Sequence, residues 1–226
     1  MMTDLTSWSP RALPGNKVLE GRRVRLEPLV WSAHRQGLFS ALGGAAHAAI
    51  WRYMAIGPFA SADIMERVFS EAITEGGWRT LVIRRLSDGK IVGMASYMRN
   101  RPDHGSTEVG SIAYSPLLQN SAGGTEAMAL MASHVFDDLR YRRYEWKCDA
   151  ANAASRSAAE RLGFTFEGIF RQDLVMKGRN RDTAWFSIID SEWPARRAAL
   201  TSWLDPKNFD EDGKQLRRLQ DFRKTA

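Results

Sequence analysis

One stretch, residues 110–127, constrains this chain more than any other. An apolar segment ends at Tyr114-Ser115 and is stopped by Pro116. A loop of small and polar residues follows (Gln119, Asn120, Ser121, Ala122, Gly123, Gly124), and an amphipathic helix starts at about Thr125. A strand that feeds a helix through such a loop leaves the unpaired N–H groups of the helix N-terminus facing open space, with few side chains to block an anion. That arrangement suits a pyrophosphate, and so points to a nucleotide-like cofactor.

With 226 residues and 44% hydrophobic composition, the chain can bury a full core. Lys and Arg outnumber Asp and Glu by 32 to 26, giving a net charge of +6, but the basic residues are interleaved with acidic ones. A dedicated nucleic-acid protein usually clusters its charge, so the balance favours phosphate attraction without specific nucleic-acid binding. The single cysteine, Cys148, excludes an intrachain disulfide. Residues 1–10 lack the apolar core of a signal peptide, and no run approaches the ~18 apolar residues of a membrane span. The expectation is a cytoplasmic protein without membrane partners.

Patterning divides the chain into an extended arm (1–18), one mixed α/β domain (19–204) and a charged tail (205–226), helical and solvated near 214–222. A first strand around Val24 and Leu26 precedes a helix over 32–42. Ser61 caps a helix to about Thr74, with Ile64, Val68 and Ala72 repeating every four residues. Strands over 79–84 and 91–98 flank Asp88-Gly89, a hairpin signal. A polar loop over 99–105 leads to a strand over 107–114. The next helix, to about Leu139, turns Met128, Met131, Val135 and Phe136 to the core. Tyr144, Trp146 and Cys148 alternate with Glu145, Lys147 and Asp149 as in a strand. Asn152 and Gly163 bracket a short helix over 153–162. Strands over 165–176 and 183–189 flank a turn over 177–181, and a last helix begins at Pro194.

This order, with Gln119 to Ala127, Asp149-Ala150-Ala151-Asn152, Arg161-Leu162-Gly163-Phe164, Glu167-Gly168 and the segment 178–183, resembles the GNAT superfamily of acyl-CoA N-acyltransferases, in particular its RimJ/RimL-like branch. The resemblance spans roughly residues 19–195. It implies a twisted mixed sheet of about seven strands with flanking helices, whose fourth and fifth strands splay apart to admit acetyl-CoA. It also implies that the acceptor is a primary amine, either a small amino compound or a peptide N-terminus, and that the protein can be a homodimer. The family's phosphate loop reads Gln/Arg-x-x-Gly-x-Gly/Ala. Gln119 and Gly124 match it, whereas Ala122 replaces the first glycine and resists positive φ. Gly123 and Thr125 complete the loop.

Amide formation from a thioester needs a neutral amine, a polarised carbonyl and a proton for the departing thiolate. By resemblance, backbone N–H groups of Ile112, Ala113 and Tyr114, past a strand bulge, hold the thioester oxygen. Glu108 on the same strand is the candidate base; otherwise it is a solvated or ion-paired residue. Deprotonating a lysine-like amine (pKa ~10.4) at pH 7 costs about 4.6 kcal/mol, but an α-amine (~8) only about 1.4 kcal/mol. A weak carboxylate base is sufficient for the second.

The family's acid, a tyrosine four residues before the Gly-Phe pair, is Ala159 here. Ser155 is the substitute, since it shares a helix face with Ala158, Ala159 and Leu162; its other reading is a first-turn serine bonded to backbone. Asn152 caps its helix and, by resemblance, contacts the pantetheine or phosphate arm. Arg156 either reaches a cofactor phosphate or is solvated. Trp51, Tyr53, Phe59, Arg179 and Arg181 are candidates for the acceptor wall and its rim, with simple packing the alternative for the aromatics. Cys148 reads as an inert buried thiol, and the four histidines lack metal-ligand spacing. The leading expectation is an acetyl-CoA-dependent N-acetyltransferase working by direct attack in a ternary complex. The rivals are a catalytically silent acyl-CoA-binding protein and a nucleic-acid-associated module.

Overall fold

Alternating burial along the strands, with helices on both sides, organises the molecule into a sheet with two covered faces. In the computed structural model, residues 4–223 are described; Met1 to Thr3 of the expected arm and Lys224 to Ala226 of the expected tail lie outside the described residues. The elements are β1 (Leu19–Glu20), β2 (Val24–Pro28), α1 (Trp31–Leu42), α2 (Ala62–Gly76), β3 (Arg79–Arg85), β4 (Ile91–Arg101), β5 (Ser106–Tyr114), α3 (Ala122–Ser133), β6 (Arg143–Asp149), α4 (Ala153–Leu162), β7 (Thr165–Met176), β8 (Arg179–Ile189), α5 (Trp193–Leu204) and α6 (Leu219–Arg223). They form one 8-stranded mixed sheet in the order β1-β2-β3-β4-β5-β6-β8-β7. Only the β5–β6 pair is parallel, and all other neighbours are antiparallel. The two-residue β1 accounts for the strand beyond the seven expected.

Two apolar clusters lie on opposite faces. One holds Val109, Met131, Tyr144, Trp146, Phe186 and Leu200, beneath α3, α4 and α5. The other joins Leu38 and Leu42 of α1 and Met65 and Phe69 of α2 to Val82, Met94 and Ala113. The buried positions of α2 are thus one residue on from the expected Ile64–Val68–Ala72 stripe, and Ile64 is exposed. The chain's own caps fix the helix starts: Ser61 accepts from Ile64 N, Ser121 from Gly124 N and Asn152 from Ser155 N.

Several boundaries differ from expectation. β4 continues to Arg101 instead of entering a loop at residue 99, because a bulge keeps it paired with β5 as far as Arg101↔Ser106. α3 starts at Ala122 and gives way at His134 to a π-helical turn ending at Asp138. The turn between β7 and β8 closes in two residues, Lys177 and Gly178, both at positive φ. The C-terminal segment is docked as well as solvated, with Leu219 buried in the larger cluster. The N-terminal arm is tied down by Trp8 Nε1 donating to Asp103 O and Tyr141 Oη donating to Ala12 O.

Candidate active site

Pairing between β5 and β6 stops partway. The ladder runs Ser106↔Arg143, Thr107↔Tyr144, Glu108↔Glu145 and Val109↔Trp146, yet β5 continues to Tyr114 and β6 to Asp149. The cause lies on β5. Between Met94↔Ala113 and Ser96↔Gly110 the β5 strand carries an extra residue, and Ser111 takes φ 49° there. A bulge of this kind bends the strand away from its neighbour. Beyond it, Ser115 N donates to Val92 O on the β4 side. Alternation along an extended strand then turns the N–H groups of Tyr114 and Ile112 the other way, into the gap.

At the end of β5 the chain makes a tight turn, with Gln119 N donating to Ser115 O and Gln119 Nε2 to Tyr114 O. Asn120, a residue type that tolerates the left-handed region, supplies φ 55°. Ala122 is the first helical residue, so its position needs no positive φ and the glycine missing there costs nothing. Ala122 and Gly123, at the first two helical positions, have no intrahelical acceptor for their N–H groups. The glycine pair itself is buried. A Cβ on Gly124 would meet Leu118 O and Tyr114 Cε2 at 3.0 Å, so this glycine allows the helix start to lie close against β5. Tyr114 Oη clasps the same turn by donating to Gly124 O at 3.0 Å, and burial holds its hydroxyl well above the usual range. Thr125 accepts from Arg161 Nη1 at 3.0 Å.

Side chains on the two faces of the sheet differ sharply where the gap opens. On the face of α3 and α4, Trp146 Nε1 donates to Ser155 Oγ at 3.0 Å. The Ser155 hydroxyl is half-buried, and with its lone pair used by Trp146 its own proton has the Cys148 thiol within reach. Cys148 lies on this face too, and burial pushes its thiol up, as expected of an inert residue. On the opposite face, Glu108 is buried beside Glu145. Lys147 Nζ stands 2.9 Å from Glu108 Oε2, although this oxygen lacks a well-directed hydrogen bond, and Arg99 Nε lies 3.8 Å away. Burial raises the Glu108 pKa, and Lys147 and Arg99 oppose that shift. Arg99 and Lys147 both lean on the Trp185 ring, at 4.9 and 5.0 Å from its centre.

Candidate residues for the acceptor wall divide. Trp51 and Phe59 are 0% and 2% exposed, packed edge to face 4.7 Å apart, with the indole of Trp51 donating to Leu42 O. They are core, with no surface to offer an acceptor. Tyr53 is half-buried, and its hydroxyl reaches Ala151 O at 3.5 Å beside the gap. Arg179 and Arg181 belong to β8, not to a turn; Arg179 is exposed, and Arg181 donates to Met176 Sδ. Lys177 is the turn residue that comes inward, donating to Trp51 O at 2.9 Å. Arg156 packs over Phe166 and donates to Ala150 O at 3.5 Å. Sequence reasoning missed Arg99, Lys147 and Trp185. Only the alternation of 143–149 carried a signal for Lys147, placing it on the face of Glu145.

A family model described as an acetyltransferase (GNAT) domain matches residues 23–165. A solved GCN5-related N-acetyltransferase from Brucella melitensis is 44% identical, with a TM-score of 0.93 over 97% of this chain and 100% of that one. A curated protein of Bacillus subtilis (strain 168), named "Putative ribosomal N-acetyltransferase YdaF", is 27% identical over 114 residues, 50% of this chain and 61% of that protein. A spermidine N-acetyltransferase from Vibrio cholerae, solved with CoA and spermine, shares the fold at 18% identity and a TM-score of 0.62, over 76% of this chain and 98% of that one. None of the described helices is long and apolar enough to cross a membrane. With its parted β5 and β6 and a family match covering more than half its length, the chain belongs to the GNAT family of acetyltransferases.

Proposed function

We propose that the protein is an acetyl-CoA-dependent N-acetyltransferase that works by direct attack of a primary amine in a ternary complex, with the amine arriving on one face of the sheet and the thiol leaving on the other. The observation that supports this reading is the parting of β5 and β6 beyond Val109↔Trp146, with the Glu108 carboxyl on the α1/α2 face and the Ser155 hydroxyl on the α3/α4 face. The residues present fit coenzyme A. Unpaired N–H groups of Ala122 and Gly123, beside the exposed side chains of Gln119 and Asn120, would hold its diphosphate. Asn152, the cap of α4, would contact the pantetheine or phosphate arm, and Arg156 on the same helix would reach a cofactor phosphate. When bound, the cofactor supplies the acetyl group as a thioester.

The chain's own groups supply the rest. N–H groups of Ile112 and Tyr114, with Ala113 between them, would bind the carbonyl oxygen and polarise it. Glu108 would draw the proton from the ammonium group of the acceptor, directly or through water. Ser155 Oγ, whose lone pair already accepts from Trp146, would give its proton toward the departing sulfur and recover one from water, while the nitrogen sheds its second proton to water as the amide forms. An α-amine is the acceptor that fits a weak base best, given its lower cost of deprotonation. A protein N-terminus or a small amino compound meets that requirement, and the name of the Bacillus subtilis relative supports the former. Action in the cytoplasm is part of the same proposal.

Calorimetry with CoA, followed by thiol release from acetyl-CoA across a panel of amines, tests this. The expected result is saturable CoA binding and turnover with at least one α-amine. Binding without turnover on any amine would leave an acyl-CoA-binding protein instead, and no binding at millimolar CoA would end both readings.

A further inference from the structure

Beyond Glu108, on the face where an amine would arrive, lies an open cavity of about 430 Å³ lined by Arg99, Arg101, Arg143, Glu145, Phe170 and Trp185 among others. Most of its charges are already matched. Glu145 is gripped by Arg101 at 2.7 Å and Arg143 at 2.8 Å, and Arg143 also holds Glu167 through two bonds of 2.7 and 2.6 Å. Arg99 differs. It has ion-pair distances of 3.8 and 3.9 Å to Glu108 and Glu145, but among the described residues its guanidinium makes no hydrogen bond.

Nevertheless Arg99 is held in place. Its backbone sits at φ 44° within the β4 bulge, a conformation that costs a non-glycine residue energy and tends to mark functional positions. The guanidinium carbon stands over the Trp185 ring, 4.9 Å from its centre, a cation–π contact that uses none of its N–H donors. Together Arg99, Arg101, Arg143 and Lys147 place four cations against the three carboxylates of Glu108, Glu145 and Glu167. The result is a preorganised fork of unused N–H donors, in a region of surplus positive charge, less than 4 Å from the candidate base.

We propose that Arg99 receives a carboxylate of the acceptor, so that the enzyme selects peptide N-termini with Asp or Glu in the first or second position. This deepens the acyl-transfer reading and rests on it for the location of the reacting nitrogen. A planar fork pairs with a carboxylate through two parallel bonds, and neither a neutral amide nor a lysine offers the same match. A polyamine acceptor would place further positive charge against four cations.

The test compares two peptide sets, one varied only at position one and one only at position two (Asp, Asn or Lys in each), measured with the full-length protein. Two readouts are taken: kcat/KM with acetyl-CoA, and the calorimetric affinity of each peptide in the presence of CoA. In at least one set the Asp peptide is expected to exceed the Asn peptide by about tenfold in both readouts. In Arg99→Asn, a residue that tolerates the same backbone conformation, this ratio should shrink to about twofold or less, with Arg99→Lys between. Any change in the base itself affects all peptides alike and cancels in the ratio. Equal values for Asp and Asn peptides in both sets in the unaltered protein overturn the proposal without any variant, as does a ratio that survives Arg99→Asn. A calorimetric preference that depends on Arg99 but comes with no turnover keeps the carboxylate site and removes the acyl-transfer reading.

Discussion

Two glutamates, Glu126 on α3 and Glu108 on β5, are buried to nearly the same degree, with 5% and 4% of their surface exposed, in regions built for opposite ends. Glu126 accepts three backbone N–H bonds, from Arg22 at 3.1 Å, Arg23 at 2.7 Å and Val24 at 3.0 Å, with the Arg23 guanidinium 3.6 Å away. Its lone pairs are spent on fixed donors, and the bonds tie the start of β2 to the helix that follows the gap. Glu108 has no such anchors. It faces two side-chain cations that rest on one aromatic ring, with an oxygen that no well-directed hydrogen bond satisfies. A carboxylate saturated by backbone donors locks geometry; one matched only by side-chain charges, with an oxygen left undirected, keeps the capacity to take a proton.

The sharpest way to break this contrast is to remove the anchored carboxylate. Glu126→Ala leaves three backbone donors without an acceptor, each costing about 1–3 kcal/mol where water cannot replace it. We expect a loss of about 4 kcal/mol in urea unfolding, with activity per folded molecule largely kept. Glu126→Gln retains one acceptor oxygen and should fall between. A loss below about 1 kcal/mol would mean that the donors find other partners, and the distinction between the two glutamates would not hold.

What the sequence could reveal about these two regions depended on the range of the interactions. Helix α4 has the bounds that Asn152 and Gly163 predict, because a cap is settled within one turn of chain. The Ser61 cap of α2 was legible for the same reason, but not which face of the helix is buried. Met65 and Phe69 win over Ile64 because α1 and the sheet, distant in sequence, choose the face. Trp51 and Phe59 show the same gap in information: aromatic residues in a connecting segment suit a wall or a core equally until the packing is known.

The partners of Glu108 were hidden most completely. Arg99, Lys147 and Trp185 come from three strands, and only the sheet order β4-β5-β6-β8 brings them together. The bonds to Glu126 were equally illegible, since they join residues about a hundred positions apart. By contrast, alternation along β5 and the proline after it were enough to suggest where the strand ends and the helix begins.

Glu108→Gln gives the second largest effect and the reverse pattern to Glu126→Ala. Loss of a positioned general base lowers rates by about 100-fold or more, so kcat should drop by about that factor near neutral pH. Stability should fall by about 1–2 kcal/mol, less than for Glu126→Ala, because Lys147 loses its nearest counter-charge while the exchange also removes the cost of burying the carboxylate, and Lys147 keeps some exposure to water. An unchanged kcat would assign Glu108 to structure after all and leave the amine to reach the site already neutral.

The smallest effect tests whether the cations tune that base. Burial raises the Glu108 pKa above the usual carboxylate value, and Lys147 pulls it back down. The base is competent only when ionised, so activity should climb as pH rises through this raised value. Removing a positive charge disfavours the ionised form, so Lys147→Met should move the acid limb of the kcat profile to higher pH, by about one unit. At the foot of the limb that is about a tenfold lower rate; on the plateau the two proteins should converge. The stability of the fold responds in the same sense. A carboxylate whose pKa is higher folded than unfolded contributes stability that is fully present below the unfolded value and is lost as pH rises through the folded one, and Lys147→Met extends that window upward. Lys147→Arg, which keeps the charge, should restore the original limb. If Lys147→Met instead lowers the rate equally at every pH, Lys147 positions the acceptor or the strand and does not set the proton affinity of Glu108. The contrast with Glu126 would then lie in geometry alone.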